Sequence, residues 1–154
     1  MERRLARSRI VRALRLPVKA QLLAGLAWAL IGGAALAIRW LPARHYLWVL
    51  GRPIGAVSCQ PVVDGRGQGR ARALRTALRR AAASAPFRNN CLPQALAGAV
   101  LCRIARLPSA GHLGTRMSGA AGMEAHAWLA VGPVAVSGGH AWNDYAVVAC
   151  YLRG

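Results

Sequence analysis

Two side chains in this sequence have the type and setting for covalent chemistry: a cysteine placed to open a helix, and a histidine placed in an alternating strand. Cys91 follows Asn89-Asn90 and precedes Leu92-Pro93-Gln94. Asparagine is a favoured N-cap, and proline is tolerated in a first helical turn, where its missing N–H has no partner to lose. The pattern predicts a helix from Cys91 to about Arg106. It is apolar nearly all round from Leu92 to Cys102 and so should be buried, with Arg103 and Arg106 complementing the dipole in its last turns. A thiol at a helix start feels the positive end of that dipole, which favours the reactive thiolate. Cys102 falls inside the apolar helix, and Cys59 and Cys150 sit in apolar stretches. All three read as small, inert hydrophobes.

His126 supplies the matching base. In the expected strand Met123 to Val131, Glu124, His126 and Trp128 share one face, while Met123, Ala125, Ala127, Leu129 and Val131 share the other. The second set is wholly apolar and should face the core. The first would leave an imidazole beside an indole on a more accessible face, as a general base requires. A cysteine and a histidine far apart in sequence but close in the fold form a nucleophile–base pair. A third group should orient the imidazole. If Gly132-Pro133 closes a hairpin, the positions opposite His126 are Gly138 to His140, and no acid stands there. Asp144 is the preferred orienting residue, with Asn143 and Glu124 as alternatives. A zinc site built from His112, His126, His140 and cysteines would have spacings that match no compact metal motif, so neither metal nor other cofactor is expected.

The elements that must hold these residues can be read outward from them. Arg72, Arg75 and Arg79 fall on one face of a helix from Gly69 to Ala85, and Leu74, Leu78 and Ala81 on another. The arginine face is a candidate surface for a substrate or partner peptide. After Gly111 the period changes from helical to alternating. Strands are expected at His112 to Met117, Met123 to Val131, Val134 to Ser137 and Tyr145 to Leu152. Helices first and a mostly antiparallel sheet afterwards make an α+β arrangement. Leu41 to Gly69 reads as a helix end and a loop. The uncharged run from Gln21 to Ile38 sits at the short limit for a membrane span and is rich in alanine and glycine, so it reads as a buried helical hairpin, with membrane attachment open but not favoured. Residues 1–16 read as a basic amphipathic arm. Residues 1–60 thus form a helical extension and residues 61–154 the core.

Composition narrows the chemistry. Hydrophobic residues make up 55% of the chain and charged ones 16%, enough to bury a core. Lysine and arginine total 21 against four acids, for a net charge of +17. That field draws anionic partners and says nothing of fold. With only Glu2, Asp64, Glu124 and Asp144 as carboxylates, a multi-carboxylate metal site or a paired-carboxylate hydrolase has few places to form. The four cysteines show no CxxC spacing and no cleavable signal peptide precedes them, which favours a reducing cytoplasm.

The stretch Pro86-Phe87-Arg88, then CLPQALAGAVLCRIARLP from Cys91, then AHAWLAVGPVAV from Ala125 resembles the transglutaminase-like leader peptidases of lasso-peptide biosynthesis. The resemblance spans roughly residues 70–152. It implies a transglutaminase/papain-like cysteine peptidase core in which the helix-start cysteine packs on an antiparallel sheet, with Cys91 and His126 on the family's motif positions. It also implies cleavage of a leader from a ribosomally made precursor peptide, delivered by a separate leader-recognition protein and followed by ring closure in an ATP-dependent lasso cyclase. Where the family carries its acid this chain has Gly138, and Asn143-Asp144 lies further on. Backbone N–H groups at the start of the Cys91 helix are natural oxyanion donors, with Gln94 and Trp128 as supporting candidates. Nucleic acid is not an expected partner. A non-catalytic scaffold of the same fold, and a basic membrane- or nucleic-acid-associated module, are the rival readings.

Overall fold

The structure, a computed structural model, describes residues 17–86, 90–119, 122–139 and 141–154. The basic arm at residues 1–16, Phe87-Arg88-Asn89 of the cysteine segment, and His140 lie outside the described residues.

Three helices among the described residues form one layer. The first, α1 (Val18–Trp40), is a single continuous helix, not the hairpin expected from its length and glycines. Glycine within a helix costs only about 1 kcal/mol relative to alanine, so the helix continues through Gly32-Gly33. Leu23, Ala27, Leu30, Ile31, Ala34 and Ile38 recur at helical spacing and join the core. Leu22, Leu26, Trp28, Leu36 and Trp40 remain exposed on the same helix, so it is packed on one side and apolar on the other. By length and composition α1 is long and apolar enough to cross a membrane.

Helix α2 (Gly65–Ser84) begins four residues before its apolar period, because the Asp64 carboxylate accepts the Gly67 N–H at 2.7 Å and caps it. Ala71, Leu74, Ala77, Leu78 and Ala81 are its buried stripe. Arg72 and Arg79 are exposed and Arg75 half-buried on its outer side. Helix α3 (Cys91–Ile104) starts at Cys91 with Asn90 at the N-cap, and it buries eight of its residues from Pro93 to Cys102.

The second layer is a five-stranded antiparallel sheet in the order β1-β5-β2-β3-β4. The strands are β1 (Arg52–Gly55), β2 (Ser109–Met117), β3 (Met123–Val131), β4 (Val134–Ser137) and β5 (Ala146–Arg153). The expected loop at 41–69 therefore contains an edge strand, along with short 3₁₀ turns at Ala43–His45 and Leu47–Leu50. The β3–β4 hairpin closes through Gly132, whose φ of +54° suits glycine. The layers meet where a side chain on Gly98 would strike Leu129 at 2.9 Å and Leu78 at 3.2 Å. Burying Leu129 fully stabilises by about 1.5–3 kcal/mol.

Candidate functional site

Topology places Cys91 and His126 at the same end of the sheet. Helix α3 reverses into β2 through a short connection in which Leu107 N–H bonds the Cys102 carbonyl. The helix start must then lie toward the far end of β2, where Gly114 pairs with His126. Lengths agree: from Gly98, which sits over Leu129, the helix runs about 10 Å back to Cys91, and the strand runs about 10 Å from Leu129 to His126. Cys91 is half-buried against the core. The Asn90 side chain does not cap the helix. Proline at position 93 removes one first-turn donor, so Cys91 and Leu92 carry the N–H groups available at the helix tip.

His126 is held by its backbone neighbour across the hairpin. Its Nε2 lies 2.8 Å from the Gly138 carbonyl oxygen. A carbonyl only accepts, so Nε2 donates, and in the neutral ring Nδ1 is left as the proton acceptor. The turn that brings this carbonyl inward has φ +82° at Gly138, and a Cβ there would fall 2.3 Å from the Trp128 Cβ. Only glycine fits, which explains why no acid side chain occupies this position.

The rest of the face is a stack of rings. Trp128 lies between His112 (centroids 5.1 Å, 6° between planes) and His126 (6.0 Å, 20°), and Tyr145 covers His126 at 4.9 Å. Arg116 sits over the outer ring of Tyr145 at 4.7 Å and forms an ion pair with Glu124 at 2.9 Å. That ion pair, with the Tyr145 hydroxyl as a further donor, holds the Glu124 carboxyl below its usual range. Glu124 is thereby bonded to Arg116 and Tyr145, and its charge also acts on His126 beside it.

Two expectations about the strand faces are corrected. Trp128 is only 2% exposed, because Tyr145 and the segment before α2, which reaches His112 through the Cys59 N–H, cover the face expected to be open. Conversely Met123, on the expected core face, is 71% exposed, since β3 extends past the helical layer. Trp128 therefore acts as a platform behind His126.

His126 projects from the face opposite to α3, whose side carries Ala127, Leu129 and Val131. Among the described residues no hydrogen bond joins Cys91 to His126, or Asp144 to His126. Asp144 ends the 3₁₀ turn Ala141–Asp144 with its side chain exposed, one residue before Tyr145. Gln94 is half-buried in the first turn of α3. Burial pushes the Cys102 thiol up to about 12, and burial together with Cys59 does the same for Cys150.

Sequence reasoning missed a second cluster. Cys59, His112 and Cys150 each bring one ligand atom within 4.8 Å of the others. Their sequence spacing is long, and the signal was the pairing of β5 beside β2, which sets His112 opposite Cys150.

No curated protein and no solved structure matches the chain. Its residues 36–150 match the family described as the transglutaminase-like superfamily. That segment holds α2, α3 and nearly the whole sheet, with the helix-start cysteine packed over an antiparallel sheet, and the chain belongs to the transglutaminase-like superfamily.

Proposed function

We propose that the protein is a cysteine endopeptidase that removes the leader from a ribosomally made lasso-peptide precursor. The observation that carries this reading is the His126–Gly138 bond, which fixes a base with a free Nδ1 at the end of the sheet where α3 begins with Cys91. Cys91 Sγ attacks the scissile carbonyl as His126 Nδ1 takes the thiol proton, and the helix-tip N–H groups receive the developing oxyanion. His126 then returns the proton to the leaving amine. Water, deprotonated by the same ring, hydrolyses the thioester and frees Cys91. The Gly138 carbonyl does the orienting that Asp144 was expected to do. Because His126 lies on the face opposite to α3, catalysis requires the tip of α3 to bring Cys91 round this end of the sheet to the imidazole when substrate binds.

The protein works in the cytoplasm with a leader-recognition protein and an ATP-dependent cyclase, and the Arg72–Arg75–Arg79 side of α2 receives one of these acidic or peptide partners. The exposed apolar side of α1 is where a membrane would attach; cell fractionation reads this directly. The test of function is a reconstituted cleavage assay with precursor, recognition protein and cyclase. Wild type should release the leader, while Cys91→Ala and His126→Ala should not.

A second reading rests on a specific observation: among the described residues no hydrogen bond joins Cys91 to His126, and the resemblance implies an acid where this chain has Gly138. The protein would then be a scaffold that stabilises the cyclase. Leader release that survives Cys91→Ala decides for the scaffold.

A further inference from the structure

The covered face of the sheet holds chemistry that peptide cleavage does not use. Cys59 lies in the segment between β1 and α2, His112 in β2 and Cys150 in β5. Their Sγ, ring nitrogen and Sγ atoms all fall within 4.8 Å of one another. The two sulfurs are 3.3 Å apart, and His112 Nε2 accepts the Cys59 N–H at 3.3 Å. An accepting Nε2 has its lone pair on the Cys59 N–H beside the thiols, where a metal ion would displace that bond, and the ring proton is on Nδ1. That Nδ1 is buried, makes no hydrogen bond of good geometry and faces only the Ala110 backbone. His112 is itself 1% exposed. A buried imidazole with no acid beside it, turned to a pair of thiols, is poorly explained as packing alone.

We propose that Cys59, His112 and Cys150 bind one zinc ion as two thiolates and an imidazole. Tetrahedral zinc, with Zn–S near 2.3 Å, sets two sulfurs about 3.8 Å apart. The sulfur pair here needs to open by roughly 0.5 Å for that geometry. A disulfide, with S–S near 2.05 Å, requires it to close by more than about 1.2 Å and leaves the histidine without a role. Binding releases the two thiol protons to solvent, and Zn²⁺ with two thiolates is neutral, which suits a covered face. Cys150 and His112 are fixed by strand pairing, whereas Cys59 is half-buried in an exposed segment. The ion enters from the Cys59 side, where a water completes the coordination. Its effect is to pin that segment to the sheet and, through the His112–Trp128 stack, to steady the platform behind His126.

The experiment uses the full chain, reduced and stripped with a chelator, and Co²⁺ as a spectroscopic probe that Zn²⁺ then displaces. One Co²⁺ should bind per chain, with thiolate charge-transfer absorption and tetrahedral visible bands. Zn²⁺ should protect the Cys59 thiol from a disulfide reagent and raise Tm. Cys59→Ser should lose the absorption and the Tm shift while remaining folded, since that segment is the least packed of the three. Cys91→Ala should keep both, which separates this site from the proposed peptidase. Folded wild type without thiolate absorption overturns the proposal, as does a Cys59→Ser variant that binds as wild type does. A Cys59–Cys150 disulfide in protein isolated without reductant, with no metal uptake after reduction, also overturns it and assigns the pair to redox chemistry.

Discussion

Replacing Gly138 with alanine probes the turn on which the histidine depends. The residue has φ +82°, a left-handed conformation that costs an L-residue about 1–2 kcal/mol. The added Cβ would lie 2.3 Å from the Trp128 Cβ and 2.8 Å from both the Trp128 Cα and the Ala127 carbonyl oxygen. These atoms belong to the backbone of a central strand or sit directly on it, so no side chain can swing away. Forced overpacking of this kind costs about 1–3 kcal/mol. Together the terms give about 2–5 kcal/mol, a large share of the stability of a small domain. At about 2–4 °C per kcal/mol, Tm should fall by roughly 4–20 °C in a thermal melt followed by circular dichroism. Relief of the clash also moves the Gly138 carbonyl, so His126 loses its Nε2 acceptor and leader cleavage falls with it. Gly138→Asp meets the same backbone and should be no better, although it puts a carboxylate beside His126. A Gly138→Ala protein melting within about 1 °C of wild type, or a Gly138→Asp protein that cleaves faster, would refute the reasoning.

Thiol reactivity should sort by environment. With their thiols pushed up to about 12, Cys102 and Cys150 are ionised to only about one part in ten thousand at pH 8, so iodoacetamide should leave them unlabelled while Cys91 reacts. Raising the pH to 9 should increase labelling of the buried pair about tenfold per unit from that low base, read by peptide mass mapping. Asp144→Ala should retain cleavage within a few-fold, because the Gly138 carbonyl and not this exposed carboxylate holds His126; a thousandfold loss would restore Asp144 to the role first expected of it. Reversing Arg72, Arg75 and Arg79 to glutamate should weaken association with the precursor or its recognition protein in a salt-dependent way. Unchanged affinity by calorimetry would remove that surface from the account.

Much of the layer arrangement was legible because period and punctuation agree in this sequence. The β3 and β4 limits follow from two apolar runs separated by the turn at Gly132-Pro133. The start of α3 follows from Asn90 ahead of Cys91 and Pro93 in the first turn. What failed did so where tertiary contacts decide. Glycines in the Gln21 to Ile38 run suggested a hairpin, but one side of α1 packs on the other helices and the helix stays continuous. Alternation identified which residues share a face with His126, yet could not say that Tyr145 and the segment around Cys59 cover that face. The cysteine–histidine cluster was invisible for a related reason. Local spacing rules detect ligands on one loop or helix, whereas these three meet only because β5 pairs with β2. The orienting group for His126 was sought among side chains, and a backbone carbonyl leaves no mark in sequence beyond the glycine that lets it turn inward.

The most direct test of the account is covalent capture at Cys91. A leader-derived peptide ending in an electrophilic ketone would be added to the intact protein with its recognition partner, and the modified residue found by mass spectrometry. The account predicts one adduct per chain on Cys91, formed far more slowly in His126→Ala and unaffected in Asp144→Ala. Modification spread over Cys59 and Cys91 alike, or a rate on Cys91 indifferent to His126, would contradict it and leave the transglutaminase-like fold as a scaffold.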